Sequence, residues 1–246
     1  MDSDAFERKA KRFRREVLDM AYNRGHGHIG GAFSIIETLL TLYDEVMTPE
    51  DKFILSKGHA CLPYYLILKE KGFNPIISGH PERDPENGIH VTTGSLGHGL
   101  PMGLGMAFGK KLRRSKGKVY VLMSDAECQE GTTWESALIA SHNNLDNLVI
   151  IVDNNDLQTL GKTSDILSLG ELGKKFEAFG CDVLSIDGHS FKELVWAFGR
   201  ETKGKPKVIV ANTVKGKGVT YMENVPKWHT MMPDEIEYKI AQKELE

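Results

Sequence analysis

Four short apolar runs, the first three each followed by a stretch of helical character, constrain this chain more than any other feature. They are Lys118 to Met123 (KVYVLM), Leu148 to Val152, Cys181 to Ile186 and Lys207 to Ala211. Runs this short and mainly apolar suit strands of a sheet covered on both faces, and the segments near 132–142, 168–179 and 191–202 suit helices that cover them. The pattern predicts an α/β fold with a mostly parallel central sheet and helices on both faces. In the first half, Phe6, Ala10, Phe13, Val17, Leu18 and Ala21 recur at helical spacing over 4–23, and Asn23-Arg24-Gly25 ends that helix. Ser34 is a plausible N-cap for a second helix reaching about Val46, and 60–71 reads as a third. From 72 to 97 the chain is rich in Gly, Pro, Asn and His without periodicity, and ordered loops of that length tend to carry function. No repeat or low-complexity linker divides the chain. One domain over 1–246 is therefore expected, with a C-terminal tail from about 215 that ends in a helix beginning near Pro233.

Composition removes several classes of partner. A net charge of -3 gives no global attraction to nucleic acid or to an anionic membrane. The basic cluster from Arg8 to Arg15 lies on an amphipathic helical pattern and reads as a solvated face. Cys61, Cys128 and Cys181 are far apart and form no CxxC pair, so neither a disulfide framework nor a zinc site is suggested. Met1 to Arg15 is too charged for a secretory signal, and no apolar run approaches membrane-spanning length. The expected home is the cytoplasm.

Parallel sheets of this kind hold ligands at the carboxyl ends of their strands. The first apolar run is followed by Ser124-Asp125-Ala126-Glu127-Cys128-Gln129-Glu130-Gly131, the second by Asp153-Asn154-Asn155-Asp156-Leu157. Asp125 and Asn155 should stand at the edges of adjacent strands, where a carboxylate and an amide oxygen suit a hard divalent cation. The helix starting after Gly131 offers free amides nearby. Asp and Asn after strands are also ordinary turn formers and caps, so these two residues alone leave both readings open.

The wider pattern resembles the cofactor fingerprint of thiamine-diphosphate enzymes, a Gly-Asp-Gly followed by Asn-Asn or Asp-Asn; here Asp125 and Asn155 stand 30 residues apart. Glu130-Gly131 makes it similar to the transketolase version. Further elements follow in that family's order: Gly27-His28-Ile29-Gly30-Gly31, Leu55-Ser56-Lys57-Gly58-His59-Ala60, Gly79-His80-Pro81-Glu82, Thr92-Thr93-Gly94-Ser95-Leu96-Gly97, Thr213-Val214-Lys215-Gly216-Lys217-Gly218 and Trp228-His229. The resemblance implies thiamine diphosphate held through Mg²⁺, with Ca²⁺ or Mn²⁺ as substitutes. Asp125, Asn155 and the backbone carbonyl of Leu157 would be the metal ligands. His28, His59, His80 and His229 would be the catalytic histidines lining the funnel, hydrogen-bonding diphosphate and sugar hydroxyls and relaying protons. Gly94, Ser95, Leu96, Ala126 and Glu127, together with His59, His229, Asp125 and Asn155, would contact the cofactor. Glu130 would lie near a contact between subunits. His26, His142 and His189 are read as structural or solvent-facing, since an HxH pair without a third ligand is a poor metal site.

The resemblance also implies what is missing. In transketolases a further domain supplies the glutamate that activates the aminopyrimidine and binds the phosphate of the sugar, and this chain stops where that domain begins. A split enzyme follows as the expectation: an N-terminal subunit that works with a separately encoded C-terminal subunit, two copies of each forming a heterotetramer. It would transfer a two-carbon ketol unit from a ketose, expected to be phosphorylated, to an aldose through a thiamine-diphosphate adduct. Donor and acceptor sugars, pathway, and cofactor binding without the partner are left undetermined. Two alternatives stay open: a 2-oxo-acid dehydrogenase E1 component, which shares the Asp and Asn but not the histidine series, and a non-catalytic scaffold subunit. The pattern departs from the family at Ser124 and Ala126 in place of glycines, Ile29 in place of proline, His98 in place of glutamine, and His90 in place of an acid. If residue 126 needed positive φ, alanine would cost on the order of 1 kcal/mol. These departures are expected near the site and hint at a specialised sugar.

Overall fold

The computed structural model describes residues 2–246; Met1, the first residue of the expected domain, lies outside the described residues. The helices are α1 (Ser3–Arg24), α2 (Ile29–Phe33), α3 (Ile36–Thr41), α4 (Leu62–Glu70), α5 (Gly99–Leu112), α6 (Gly131–His142), α7 (Thr163–Ile166), α8 (Leu172–Ala178), α9 (Phe191–Gly199) and α10 (Glu235–Glu244). The strands are β1 (Lys52–Leu55), β2 (Val119–Ser124), β3 (Leu148–Asn154), β4 (Asp182–Asp187) and β5 (Lys207–Asn212). They form one parallel sheet in the order β1-β2-β3-β5-β4.

Alternation along the strands divides the interior into two cores. Tyr120 and Leu122 of β2, Val149 and Ile151 of β3, and Ile209 and Ala211 of β5 join the core under α1, α3, α4 and α9. Val121 and Met123, Ile150 and Val152, and Val208 and Val210 face the core under α5, α6 and α8. Successive side chains point to opposite faces of a strand, so strands covered on both faces must be apolar throughout. That is why the runs in β2, β3 and β5 are recognisable; β4, at the edge, is only partly buried and carries Asp182, Ser185 and Asp187.

Two elements carry no such mark. β1 is an edge strand of only four residues, and α5 is Gly-rich, with Gly99, Gly103, Gly105 and Gly109 diluting its periodicity. Two of these glycines are required by contact: a Cβ on Gly99 would come 2.3 Å from Ser56 Oγ, and one on Gly103 2.3 Å from Val121 Cγ2. The helix expected from Ser34 to Val46 starts earlier and is broken, with α2 and α3 separated by a turn and a π-helical turn over Leu42–Val46. After β5 the chain returns over the carboxyl end of the sheet. Lys215, Val219, Met222, Trp228 and Leu245 are buried, and the Gly216 N–H donates to Gly30 O at 3.0 Å.

Candidate active site

Parallel pairing of β2 with β3 sets Ser124 opposite Asp153, so Asp125 and Asn155 emerge side by side. Asp125 then opens a 3-10 turn over Ala126–Gln129. Its two oxygens accept from the Ala126 N–H at 2.8 Å and the Asp156 N–H at 2.9 Å. The second bond depends on Asp156 adopting φ 53°, a left-handed conformation that Asp tolerates better than most residues. Asn155 Oδ1 accepts from the Leu157 N–H at 3.1 Å, closing a tight turn.

Beside this turn lies a cavity of about 190 Å³, lined among others by His28, Lys57, His59, Asn155, Lys215 and His229, with Gly94, Leu96 and Leu157 also on its wall. Three imidazoles converge there from elements far apart in the chain. The ring centroids are 5.0 Å apart for His28 and His59, 5.3 Å for His28 and His229, and 5.3 Å for His59 and His229. A second cavity, about 230 Å³, shares His28 and His59 and runs outward past His26, Leu62 and His80. His80 is exposed and packs on the 92–97 turn. Gly94 has φ 143°, and a Cβ there would lie 2.9 Å from the His80 ring, so only glycine lets the turn approach.

Two buried lysines complete the site, and neither stands out in the sequence. Lys57 donates to Gly31 O at 3.1 Å and makes a close ion pair with Asp153. Asp153 also accepts from Ser34 Oγ at 2.8 Å, from Thr213 Oγ1, and from Asn155 Nδ2 at 2.9 Å. Lys215 donates to Leu157 O at 2.7 Å and contacts His229 Nδ1 at 2.7 Å. Both lysines lie inside the motifs quoted above, but a lysine in a Gly-rich motif does not reveal from sequence that it will be buried.

The ionisation states follow from burial and these neighbours. Burial, then the charges of His80 and Lys215, lowers His28 to about 4. Burial, then Lys215, lowers His229 to about 3, and burial with Lys57 takes His59 well below its ordinary value. All three imidazoles are therefore neutral at pH 7. Burial, then Lys57, lowers Lys215 to about 8. Burial, then the Asp153 charge, raises Asp125 to about 6. Burial alone would raise Asp153 too, but the Lys57 ammonium and its hydrogen bonds hold it below the usual carboxylate range. Neither cavity has an Asp or Glu among its lining residues, whereas both present imidazoles and the inner one presents two ammoniums. The pair is arranged to receive anions.

Several expected contacts are placed differently. Glu127 is fully buried but does not line the cavity. Its carboxylate accepts from the Ser124 and Gly97 N–H groups at 2.8 and 2.9 Å and from Ser56 Oγ, tying three loops together. Ser95 is at the rim, its hydroxyl 3.3 Å from His98 Nδ1, and does not line the cavity either. Ala126 does line it and has no positive φ, so the alanine is accommodated without backbone strain. Ile29 is simply core. His90 lies away from the site, in a groove with Lys52 and Phe73 beside β1. His189 is structural: its Nδ1 is 3.1 Å from Glu37 Oε2, and its Nε2 accepts from the Val214 N–H at 2.9 Å.

The comparisons with known proteins agree with this geometry. The family profile described as transketolase, thiamine diphosphate binding domain, matches residues 6–245. The chain is 37% identical over 268 residues to one of the subunits of the apulose-4-phosphate transketolase of Phocaeicola vulgatus, covering 100% of this chain and 95% of that one. It is 36% identical to a 6-deoxy-6-sulfo-D-fructose transketolase subunit of Clostridium sp., covering 98% of this chain and 96% of the relative. Among solved structures, the transketolase of Campylobacter jejuni superposes with a TM-score of 0.89 at 27% identity, over 100% of this chain and 43% of that one. The chain thus spans less than half of that solved transketolase, while matching nearly the whole of relatives named as subunits. On the family profile, on its relatives and on the site built at its strand ends, this chain belongs to the transketolase family as its thiamine diphosphate-binding domain.

Proposed function

We propose that the chain is the diphosphate-binding subunit of a two-chain transketolase, which moves a two-carbon ketol unit from a ketose to an aldose. The observation that carries this is the convergence of His28, His59 and His229, all neutral, with the ammoniums of Lys57 and Lys215 around one cavity at the carboxyl ends of β2 and β3. A 2-oxo-acid enzyme has no need of three imidazoles facing sugar hydroxyls, which accept and donate hydrogen bonds in turn.

The residues at the metal position fit a hard divalent cation. Asp125, Asn155 Oδ1 and the Leu157 carbonyl are oxygen donors on adjoining turns, as Mg²⁺ prefers, with Ca²⁺ or Mn²⁺ as substitutes; the Leu157 oxygen accepts from Lys215 with one lone pair and has a second for the cation. Asp125 is buried close to a second carboxylate, Asp153, and a cation there relieves the repulsion between them. Thiamine diphosphate supplies the carbanion chemistry when bound. The chain's own part is to hold the diphosphate with Lys57, Lys215, His59 and His229, and to let Gly94 and Leu96 approach the cofactor through backbone. His28 and His80 bind sugar hydroxyls along the outer cavity, and the imidazoles exclude water and move protons there. Relatives named for a sugar phosphate and a sulfo-sugar, together with a lining free of carboxylates, support a ketose bearing a terminal anion. A separately encoded C-terminal subunit completes the site, two copies of each chain assemble, and the complex works in the cytoplasm.

The test is to capture the partner from native extract and assay the complex with thiamine diphosphate and Mg²⁺. A ketose phosphate with an aldose acceptor should be turned over, and a 2-oxo acid should not. Turnover of the 2-oxo acid alone would replace this function with that of an E1 component. Absence of Mg²⁺-dependent cofactor binding in the assembled complex would leave a scaffold.

A further inference from the structure

We propose that Lys215 fixes the tautomer of His229, so that this imidazole enters the cavity only as an Nε2–H donor and has no free nitrogen with which to accept a proton. Lys215 Nζ lies 2.7 Å from His229 Nδ1 and 2.7 Å from the Leu157 carbonyl oxygen. An ammonium group has three donors and no acceptor, so in this contact the lysine must donate and Nδ1 must accept through its lone pair. A neutral imidazole carries one proton, and with Nδ1 engaged as an acceptor that proton resides on Nε2.

The lysine is held where this requires. It is 2% exposed, and the backbone of α2 lies against its stem: a Cβ on Gly30 would come 3.1 Å from Lys215 Cγ. The Gly216 N–H donates to Gly30 O at 3.0 Å, pinning the loop immediately after the lysine. The ammonium is thus held by the Leu157 carbonyl as well as by His229, and rotating away would forfeit a buried charge-assisted hydrogen bond. No comparable contact acts on the other two rings. Among the described residues, His28 and His59 are packed by ring contacts alone, with no hydrogen bond to either ring nitrogen. Their tautomers are free to respond to what binds.

The catalytic consequence rests on the transketolase proposal above. Of the three imidazoles, His229 serves as a fixed hydrogen-bond donor, and accepting a proton falls to His28 or His59. Lys215 is then a positioning residue acting through His229.

The tautomer can be read without turnover. In the full-length chain, free of cofactor and labelled with ¹⁵N-histidine, two-bond ¹H–¹⁵N correlation spectra report which ring nitrogen carries the proton. The His229 signals are identified by their loss in His229→Gln. The expected result is a single Nε2–H tautomer for His229 in the native chain. Lys215→Met should convert it to an averaged mixture of both tautomers, and Lys215→Arg should restore the single form. A native His229 protonated at Nδ1, or already averaged, would overturn the proposal, as would an unmixed Nε2–H form in folded Lys215→Met. Should Lys215→Met fail to fold by circular dichroism, the native and Lys215→Arg spectra still decide. Because no substrate is present, a failure here is distinguishable from a failure of the proposed activity.

Discussion

Two buried charge clusters of this molecule, one under α1 and one at the strand ends, differ in how their charges are compensated. Under α1, Arg14 donates to both oxygens of Glu37 at 2.6 and 2.8 Å, and His189 Nδ1 lies 3.1 Å from one of them. Burial would raise the Glu37 carboxyl, but the Arg14 charge and the His189 contact hold it below its ordinary value. Its charged form is favoured, and it lines neither cavity of the site. At the strand ends Lys57 and Asp153 are paired, but two groups beside them show the opposite: Asp125 is raised to about 6 and Lys215 lowered to about 8. Each is held against its own charge because burial is not matched by an adequate counter-ion. A compensated cluster stabilises a fold, whereas uncompensated groups on or beside a cavity mark a place for charged ligands; Lys215 lines the inner cavity, and Asp125 stands next to it, against the turn that carries Asn155. Size alone would mislead. The amino-end cavity beside Asp51, Asp146 and Phe198 is about 690 Å³, far larger than the site.

The largest effect that tests this contrast is catalytic. With the partner, thiamine diphosphate and Mg²⁺ present, His59→Ala should lower kcat/KM by about 10²–10⁴-fold, the range for a lost acid–base or hydrogen-bonding group. Unchanged rates in purified complex would remove His59 from the site. Removing the carboxylate of the other cluster should instead act on stability. Glu37→Ala leaves the buried Arg14 guanidinium unpaired and should cost about 3–5 kcal/mol by denaturant unfolding. The cofactor affinity of the protein that remains folded should not change. A loss below about 1 kcal/mol would show that Arg14 is not committed to this pair.

The two clusters should also differ in sign with pH. The Glu37 pKa is depressed on folding, so its contribution is present above the ordinary glutamate range and is lost as pH falls through the lower folded value. The Asp125 pKa is raised from 3.8 to about 6, so its contribution is present below 3.8 and is lost as pH rises through about 6. In metal-free chain, the stability of native protein minus that of Asp125→Asn should therefore fall between about pH 4 and 7, by on the order of 3 kcal/mol. A flat difference would show that Asp125 is already compensated without a cation. The smallest effect concerns Ala126. Since it has no positive φ, Ala126→Gly should destabilise by roughly 0.5–1 kcal/mol and change cofactor affinity in the assembled complex by less than about threefold. A larger gain in affinity would show that the methyl group obstructs the diphosphate.

Legibility from sequence followed the range of each signal. β2, β3 and β5 were readable because burial on both faces makes nearly every residue of a strand apolar, a local property of a few positions, whereas β4, an edge strand with Asp182 and Ser185, was readable from Val183, Leu184 and Ile186. β1 was not, since four residues in an edge strand resemble any short apolar run, and α5 was not, since its glycines dilute the periodicity and two of them, Gly99 and Gly103, answer contacts on other segments. At the site, Asp125 and Asn155 were legible because they follow recognisable strands. Glu127 and Ser95 were expected beside the cofactor on the strength of their motifs. The structure gives Glu127 to the Ser124 and Gly97 amides and leaves Ser95 at the rim, because motif membership does not state where a side chain points.

What the sequence determined by itself was the α/β sheet, the order of the strand-end motifs and the family they belong to, all carried by residues close together in the chain. Tertiary structure alone decided that His28, His59 and His229 share one cavity while His80 stands outside it, and that Ala126 fits where a glycine was expected. It also decided that Lys57 and Lys215 are buried against Asp153 and Leu157. The physical reason is that burial and charge compensation are set by neighbours in space. Lys215 and Leu157 are 58 residues apart in the chain and 2.7 Å apart in the fold.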